Sequence, residues 1–365
     1  MIDCVDIVKG YNILVLYNEE IVERLVKHYK YPAENITFVT DSLFRMMRLH
    51  VNNIHCKTIY VKHYTEIKKE IKDMNFDYVI SNPPYGEKNV KLDLNILKSI
   101  FSVSKKIIFI HPSTFIFDKK FKWKQYNDIR NTNYLEKIIT IWGNELFNIK
   151  LFCPLCISIW NTDKITDEVE VIDNAITKTS YKSKINDVCI HGNSEMITEF
   201  FNKIQHFINI NGHLHNHTNI FSKKKQTNFS VRFAVIRGNA HVSDGWKDDF
   251  FSLFCKDYNE NLCDKNFMKY NRLANTQKLI WSFDNEEERM NFVTYCKSKF
   301  ARFCLSYLKE NGNLANGELE SVPWLDFKKH WNDKTLKEYF NISNELYDYI
   351  DHFIPDYYSD YKFDM

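Results

Sequence analysis

The segment that most constrains this chain is FDYVISNPPYG, which spans residues 76–86. Its first six residues are mostly apolar, β-branched or aromatic, which is typical of a strand. Proline cannot donate a backbone hydrogen bond, so the consecutive Pro83 and Pro84 hold their carbonyl groups in fixed outward directions. The pattern therefore predicts a strand that delivers Asn82 and Tyr85 to a rigid loop at its carboxyl end.

Short strand-like runs alternate with runs of helical spacing over the first 160 residues. The predicted strands are 12–17, 36–39, 58–61, 78–81, 105–110, 134–142 and 151–160. The predicted helices are 19–29, 43–50, 66–74, 93–103 and 118–130. This alternation favours an α/β fold with a parallel, doubly wound sheet, in which ligands bind beyond the carboxyl ends of the strands. Residues 82–85 are expected at such an end.

The character of the chain changes after about Thr162, where the βα alternation stops. We predict a first domain over 1–165 and a second domain of α+β type over 166–365. The whole chain has 365 residues, 44% of them hydrophobic, which is enough for two cores. The net charge of +2 excludes a general polyanion binder of histone type but permits a local basic groove.

Cellular location is predicted from three negative signals. Met1 leads into an acidic, mixed segment instead of a basic and then apolar one, so no signal peptide is expected. No run approaches the roughly 18 apolar residues of a membrane span. The nine cysteines are odd in number and scattered. We expect a soluble cytoplasmic protein with reduced thiols and no membrane partner.

The loop after the predicted strand has the groups needed to act on an amino group of a nucleic-acid base. Such an amino group is a poor nucleophile, because its lone pair is delocalised into the ring. The side-chain oxygen of Asn82 and the carbonyl of Pro83 can accept hydrogen bonds from both N–H groups and so localise the lone pair. Tyr85 offers a ring on which the base can stack, an interaction that contributes roughly 1–3 kcal/mol. Without such a role, these residues form only a tight Pro-Pro turn.

This block resembles motif IV of the N6-adenine DNA methyltransferases, of the Eco57I/TaqI-like group and its phage-borne relatives. The family pattern is a strand ending in (N/D)PP(Y/F/W), which Asn82, Pro83, Pro84 and Tyr85 match fully. The resemblance implies a Rossmann-like methyltransferase domain followed by a DNA-recognition domain. It also implies S-adenosylmethionine as cofactor, no metal, and double-stranded DNA whose target base is flipped into the pocket.

The resemblance extends to three other segments. KKIIFIHPSTFIF, over 105–117, is similar to the strand that follows motif IV in this group. Glu145-Leu146-Phe147 is similar to the segment that carries a second stacking aromatic, which would make Phe147 the clamp on the other face of the base. An ordinary core position is the alternative for Phe147. Residues 322–343 resemble the closing segment of the Eco57I-like proteins.

The cofactor segments depart from the family pattern. A glycine-rich turn usually follows the first strand and lets the methionine end of the cofactor approach, whereas residues 16–20 read LYNEE. Asp41 follows the second strand and is the candidate acceptor for the ribose hydroxyls; a helix N-cap is its alternative role. The acid expected after the third strand is replaced by Lys62-His63. We take Tyr17, Asn18, Asp41 and His63 as the cofactor-binding candidates and predict weak binding.

The densest basic stretch lies in the second domain. Lys223, Lys224 and Lys225, with Arg232 and Arg237, are candidates for contacts with DNA phosphates. A solvated lysine-rich loop is the alternative.

Two patterns that often bind metals are given structural interpretations. The histidines of HLHNH (213–217) have no cysteine or carboxylate companion at finger-like spacing, so a polar loop is favoured over a metal site. The CxxC at 153–156 lies in an apolar strand and has no second pair, which indicates buried thiols.

The sequence thus predicts N6-methylation of adenine in DNA, with a restriction enzyme or another protein as a potential partner. Two alternatives stay open. One is an enzyme with the same loop that acts on RNA or on a glutamine side chain. The other is a non-catalytic nucleic-acid-binding relative that no longer binds the cofactor.

Overall fold

A computed structural model describes most of both halves of the chain. The described residues are 7–85, 91–118, 124–141, 155–175, 178–189, 191–192, 194–217, 219–220, 230–234, 256–257, 278–308 and 316–354. Their contacts divide them into two compact units, one on each side of the junction between Val188 and Cys189.

The first unit is built on a nine-stranded sheet with the order β3-β2-β1-β4-β5-β7-β6-β8-β9. Its strands are β1 Ile13–Leu16, β2 Ile36–Thr40, β3 Lys57–Tyr60, β4 Phe76–Ser81, β5 Ser104–Pro112, β6 Leu135–Ile141, β7 Leu155–Asn161, β8 Glu168–Asp173 and β9 Ser180–Lys184. The α/β fold class predicted from the sequence is confirmed. The last two strands lie beyond residue 165, where the sequence pattern placed the boundary.

The direction of the strands defines where a ligand can bind. Strands β3, β2, β1, β4 and β5 are parallel. The chain winds outward from β1 through β2 to β3 and then returns to β4 on the other side of β1. The point between β1 and β4 is therefore a topological switch point, where open α/β sheets bind their ligands.

The expectation of a wholly parallel sheet is wrong at β7. This strand lies between β5 and β6 and runs antiparallel to both of them. Strand β9 also pairs antiparallel, with β8. All seven residues of β7 but the last are buried, so its apolar character is the same as that of a central parallel strand. Composition alone therefore did not reveal its direction.

Short helices connect the strands of the first unit. They are α1 Glu19–Lys27, α2 Leu43–Val51, α3 Tyr64–Ile71, α4 Leu92–Ile100, α5 Thr114–Phe117 and α6 Lys124–Arg130. The first three begin at side-chain caps supplied by Asn18, Ser42 and His63. Because each of these caps follows a strand end closely, the polar residues after β1, β2 and β3 gather at one edge of the sheet.

The second unit combines helices with a small antiparallel sheet. Its helices are α7 Glu195–Asn211, α8 Glu286–Lys297, α9 Lys299–Ser306, α10 Asp333–Tyr339 and α11 Asn344–Phe353. Its strands, in the order β10-β13-β11-β12, are β10 Asn219–Ile220, β11 Ser230–Ala234, β12 Lys256–Asp257 and β13 Lys278–Ser282. Among the described residues of the chain, no helix combines the length and apolar character needed to cross a bilayer.

A buried histidine lies in the aromatic core of the second unit. The ring of His191 is 4.6 Å from that of Phe303 and 4.7 Å from that of Phe353, measured between centroids. Its Nε2 atom contacts the Ser306 hydroxyl at 2.5 Å. Burial lowers the pKa of His191 to about 3, so the ring is neutral in the folded protein.

Candidate active site

The ends of β1 and β4 bring two loops side by side. Leu16, the last residue of β1, pairs with Ser81, the last residue of β4. The buried Ser81 hydroxyl also donates to the Leu16 carbonyl at 3.4 Å. Tyr17 and Asn82 are the next residues along these two strands, so the turn after β1 lies beside the Asn-Pro-Pro-Tyr loop.

The loop residues differ in exposure in a way that suits a pocket. Pro83 is buried and anchors the loop, Pro84 is exposed, and Asn82 and Tyr85 are half-buried. The Tyr85 hydroxyl donates to Oδ1 of Asn82 over 3.3 Å. Hydroxyl hydrogen bonds are usually about 2.7–2.8 Å long, so this one is long and easily exchanged. Oδ1 of Asn82, which would accept a hydrogen bond from the base amino group, thus accepts a weak hydrogen bond from Tyr85 in the free protein.

Tyr17 opens the turn after β1, for which the family pattern predicts glycines. Its φ of 66° lies in the left-handed region, where glycine is usually found. The strained turn is secured from both sides, because Tyr17 N–H donates to Val39 at 2.9 Å and the Arg45 guanidinium donates to the Tyr17 carbonyl. Burial, and secondarily the Asp41 carboxylate, raise the pKa of the Tyr17 hydroxyl.

Asn18 is occupied as a helix cap. Its side-chain oxygen accepts from the backbone N–H groups of Glu20 at 2.9 Å and Ile21 at 3.3 Å. These are donors that the first turn of a helix otherwise offers to a bound anion. The predicted cofactor role of Asn18 stays a prediction, and any ligand at this point would meet a helix start that is already capped.

Glu19 forms an ion cluster that the sequence did not suggest. The buried Glu19 carboxylate lies 3.5 Å from Nε of Arg45 and 3.2 Å from Nη1 of Arg48. Both arginines come from α2, which packs beside α1. The negative charge that LYNEE contributes beside the strand ends is therefore partly neutralised within the protein.

Asp41, the predicted ribose acceptor, lies at the carboxyl end of β2, about two positions later than the acid of the family pattern. It follows the last residue of β2 directly and is exposed. The alternative role of N-cap belongs instead to Ser42, whose hydroxyl accepts from the N–H of Arg45 at 3.4 Å. Since Asp41 also acts electrostatically on Tyr17, its carboxylate lies near the turn after β1.

His63 lies after β3 and caps α3. Its Nδ1 atom contacts the Thr65 hydroxyl at 2.9 Å and accepts from the Thr65 N–H at 3.5 Å. The Glu66 carboxylate accepts from the backbone N–H of Lys62 at 2.8 Å. The first turn of α3 therefore carries a carboxylate one turn later than the family pattern has it.

A buried polar chain links α4, β5 and β7. His111 in β5 contacts the Asp93 carboxylate at 3.3 Å through Nδ1 and the Ser158 hydroxyl at 2.8 Å through Nε2. The Trp160 indole N–H also donates to Ser158, at 2.8 Å. The three groups have the connectivity of a hydrolytic triad, but His111 and Ser158 are fully buried and Asp93 is nearly so. They therefore tie α4, the helix that follows the loop, to the sheet. A histidine within the apolar run IIFIHP was the available signal in the sequence.

Several predicted residues lie outside the described part of the chain. These are Phe147, Lys223, Lys224, Lys225 and Arg237. Arg232 belongs to β11, where it pairs with Ile280 of β13 and Lys256 of β12. Their roles at the base and at the DNA backbone stay predictions.

The HLHNH segment forms a 3-10 turn over Leu214–His217, not a strand. The ring of His217 stacks on Trp324 with a centroid distance of 4.0 Å, and Nδ1 of His215 lies 3.4 Å from the Glu320 carboxylate. The described residues contain no group of three histidine, cysteine or acidic side chains arranged to hold a metal ion. Cys156 is a buried free thiol in β7.

Comparison with known proteins gives partial structural alignments and no sequence match. No protein-family model matches the chain, and no curated protein matches it. The methyltransferase subunit of a type I restriction-modification system from Streptococcus thermophilus aligns over 49% of this chain and 46% of its own, with 15% identity and a TM-score of 0.36. The type IIG restriction endonuclease BpuSI aligns over 93% and 57%, with 10% identity and a TM-score of 0.42. A putative RNA methyltransferase from Pyrococcus horikoshii aligns over 44% and 75%, with 17% identity and a TM-score of 0.31.

The aligned parts span about half of the first two proteins. At these identities and TM-scores the alignments carry no argument about the residues of this chain. The residues of the candidate site are therefore judged on the chemistry and geometry of this chain.

Proposed function

We propose that this chain transfers a methyl group from S-adenosylmethionine to the N6 amino group of adenine in DNA. One observation carries the proposal: Asn82, Pro83 and Tyr85 lie at the carboxyl end of β4, beside the end of β1, at the switch point of the sheet. A ligand bound at that point meets the two carbonyl acceptors and the aromatic ring together.

The chemistry of the loop follows from its acceptors. Oδ1 of Asn82 and the carbonyl of Pro83 accept the two N–H groups of the flipped adenine, and the nitrogen lone pair becomes available for attack. The Tyr85 hydroxyl leaves Oδ1 as the base enters, which costs little because that hydrogen bond is 3.3 Å long. Tyr85 then stacks on the base, and the protein forms no covalent intermediate.

The residues after β1 and β2 fit the ribose part of the cofactor. The exposed Asp41 carboxylate has two oxygens for the two ribose hydroxyls, and no helix cap engages it. When bound, the cofactor supplies an electrophilic methyl group on its sulfonium. Tyr17 and the capped start of α1 are the groups that its methionine end would meet, and His63 lies after the neighbouring strand.

A second candidate function rests on that same helix start. Asn18 already caps α1, and Glu19 with Arg45 and Arg48 forms an internal ion cluster. A protein with this turn could retain nucleic-acid binding without binding the cofactor. Direct measurement of cofactor binding by calorimetry separates this non-catalytic relative from the enzyme.

The second domain is proposed to bind the DNA. Lys223, Lys224 and Lys225 would contact phosphates, with Arg232 and Arg237 beside them in the sequence. The target base would be flipped out of the double helix to reach Asn82. A restriction enzyme or another subunit remains a proposed partner.

The test is a methylation assay with labelled S-adenosylmethionine on three acceptors: genomic DNA, total RNA and a protein extract. Digestion to nucleosides should give labelled N6-methyl-2′-deoxyadenosine, from DNA alone. Label in RNA or on glutamine would replace the DNA proposal with one of the alternative acceptors. Measurable cofactor affinity without label in any acceptor would favour a different substrate, whereas no cofactor binding would favour the non-catalytic relative.

A further inference from the structure

The turn after β1 holds an aromatic residue in a backbone conformation that costs free energy. Tyr17 is buried and has a φ of 66°, a left-handed value that residues with a large side chain rarely adopt. Such a residue keeps this conformation only where the surrounding structure holds it. The contacts that hold Tyr17 therefore define the shape of the turn.

Two hydrogen bonds fix the peptide groups on either side of Tyr17. Its backbone N–H donates to the Val39 carbonyl in β2 at 2.9 Å, a bond between two backbones that does not depend on the side chain at either position. Its carbonyl accepts from Nη1 of Arg45 in α2. Arg45 is thus the side chain that secures the carbonyl side of the turn.

Arg45 also contacts the start of α1 and lies at the start of its own helix. Its Nε atom is 3.5 Å from the buried carboxylate of Glu19, the first residue of α1. Its backbone N–H donates at 3.4 Å to the hydroxyl of Ser42, which follows Asp41 directly. A guanidinium is a rigid plane with five N–H donors. Arg45 therefore links the turn after β1 and the start of α1 to the segment after β2.

These two segments carry three of the cofactor candidates. Tyr17 and Asn18 follow β1, and Asp41 follows β2. Burial and then the Asp41 carboxylate raise the pKa of the Tyr17 hydroxyl, so the two side chains lie near each other. A ligand that spans both segments binds more tightly when their spacing is fixed beforehand, because no ordering cost is then paid on binding.

We propose that Arg45 is a positioning residue for the cofactor. It holds the turn after β1 in its left-handed conformation and so fixes the spacing between Tyr17 and Asp41. Arg45 acts through the turn and does not contact the cofactor. The inference rests on the proposed function, because the ligand that spans the two segments is S-adenosylmethionine.

Arg48 provides a matched control on the same helix. Its side chain is as exposed as that of Arg45, and its Nη1 atom also contacts Glu19, at 3.2 Å. Within the described part of the chain, its guanidinium pairs with two further carboxylates of α1 and not with the Tyr17 carbonyl. Removal of Arg48 therefore unpairs more negative charge than removal of Arg45, but it leaves the turn anchored.

Calorimetric titration of the full chain with S-adenosylmethionine compares the two arginines. Methionine keeps the apolar stem of arginine and removes the guanidinium. Arg45→Met should weaken binding about tenfold, the effect of losing one hydrogen bond from a charged donor. Arg48→Met should change the affinity less than about threefold, since exposed ion pairs contribute little. Equal losses in both variants, or no loss in Arg45→Met, would overturn the proposal.

A second substitution at the turn separates a positioning role from direct contact with the cofactor. Glycine adopts a positive φ without strain, so the turn of Tyr17→Gly does not need the anchor. In that background Arg45→Met should weaken binding less than about threefold, against about tenfold in the wild type. The same tenfold loss in both backgrounds would mean that Arg45 touches the cofactor, and it would overturn the positioning role.

Hydrogen–deuterium exchange of the protein without cofactor tests the anchor even if Tyr17→Gly does not fold. Residues 13–21 should exchange faster in Arg45→Met and at the wild-type rate in Arg48→Met. Unchanged exchange in Arg45→Met, with S-adenosylmethionine bound by the wild type, would overturn the role of Arg45 alone. Faster exchange in Arg45→Met, with no binding to the wild type, would overturn the proposed function and with it the cofactor role of Arg45.

Discussion

The effect of replacing Tyr85 on the rate of methyl transfer depends on whether its ring or its hydroxyl takes part in the reaction. In the free protein its hydroxyl donates to Oδ1 of Asn82 at 3.3 Å. The proposed reaction uses the ring for stacking and needs Oδ1 for the base. Tyr85→Phe keeps the ring and removes the competing donor, whereas Tyr85→Ala removes both.

The magnitudes follow from these two contacts. A net hydrogen bond contributes about 0.5–1.5 kcal/mol, and the long distance places this one near the lower value. Its removal should leave kcat/KM unchanged or raise it about twofold. Loss of a stacked ring costs roughly 1–3 kcal/mol, so Tyr85→Ala should lower kcat/KM by about 5- to 150-fold.

Initial rates of labelled methyl transfer, measured at limiting genomic DNA, give kcat/KM for the three proteins. Circular dichroism of each variant confirms that the fold is retained. If Tyr85→Phe is as slow as Tyr85→Ala, the hydroxyl itself is required, and the assignment of Tyr85 as a stacking platform is wrong.

Three further predictions concern the cofactor, the DNA and the core. Asp41→Ala should weaken S-adenosylmethionine binding by about tenfold or more in calorimetry, since hydrogen bonds to a charged acceptor contribute about 1.5–3 kcal/mol. Asp163→Ala is the control. An equal loss of affinity in both variants would contradict the ribose role of Asp41. Replacing Lys223–Lys225 with alanine should lower the slope of log affinity for DNA against log salt, and an unchanged slope would remove these lysines from the interface. Because the pKa of His191 is lowered to about 3 when folded, unfolding binds a proton below pH 6.5. The contribution of His191 to the free energy of unfolding is therefore fully present above pH 6.5. It should fall between pH 6.5 and pH 3, by about 1.4 kcal/mol per pH unit at most. His191→Phe should flatten this dependence and His206→Gln should not, as measured by denaturant unfolding across that range.

The strands and helices around the candidate site were predictable because their signals are local. The apolar run before the prolines became β4 Phe76–Ser81, and the helical spacing after residue 18 became α1 Glu19–Lys27. Residue order along a parallel sheet then brings Asp41 and Asn82 to the same edge. These features depend on the hydrophobic periodicity and on where each strand ends, and both can be read from a single sequence.

Contacts between distant segments were not predictable in the same way. The antiparallel insertion of β7 depends on its pairing with β5, about 50 residues away. The ion cluster of Glu19 with Arg45 joins two helices, and no local sequence pattern links these two residues. The helix cap, which the sequence suggested as an alternative role of Asp41, belongs to Ser42.

In the second unit, a helix is interrupted at Ser298 although the hydrophobic periodicity continues across the break. Apolar residues at helical spacing continue along one face over 286–308, but α8 ends at Lys297 and α9 begins at Lys299. The Ser298 hydroxyl accepts from the N–H of Ala301 at 3.1 Å and donates to the Tyr295 carbonyl at 2.6 Å. Such bonds between a serine side chain and the backbone compete with helix continuation, while the apolar face runs through the break.

The central claim is that Asn82 holds the amino group that receives the methyl group. Single-turnover transfer from labelled S-adenosylmethionine to genomic DNA, with N6-methyladenine as the measured product, tests it directly. Asn82→Ala should abolish transfer while cofactor affinity and circular dichroism stay as in the wild type. Asn131→Ala, at an exposed asparagine in the turn after α6, should keep the wild-type rate. Wild-type turnover by the Asn82→Ala protein would contradict the account.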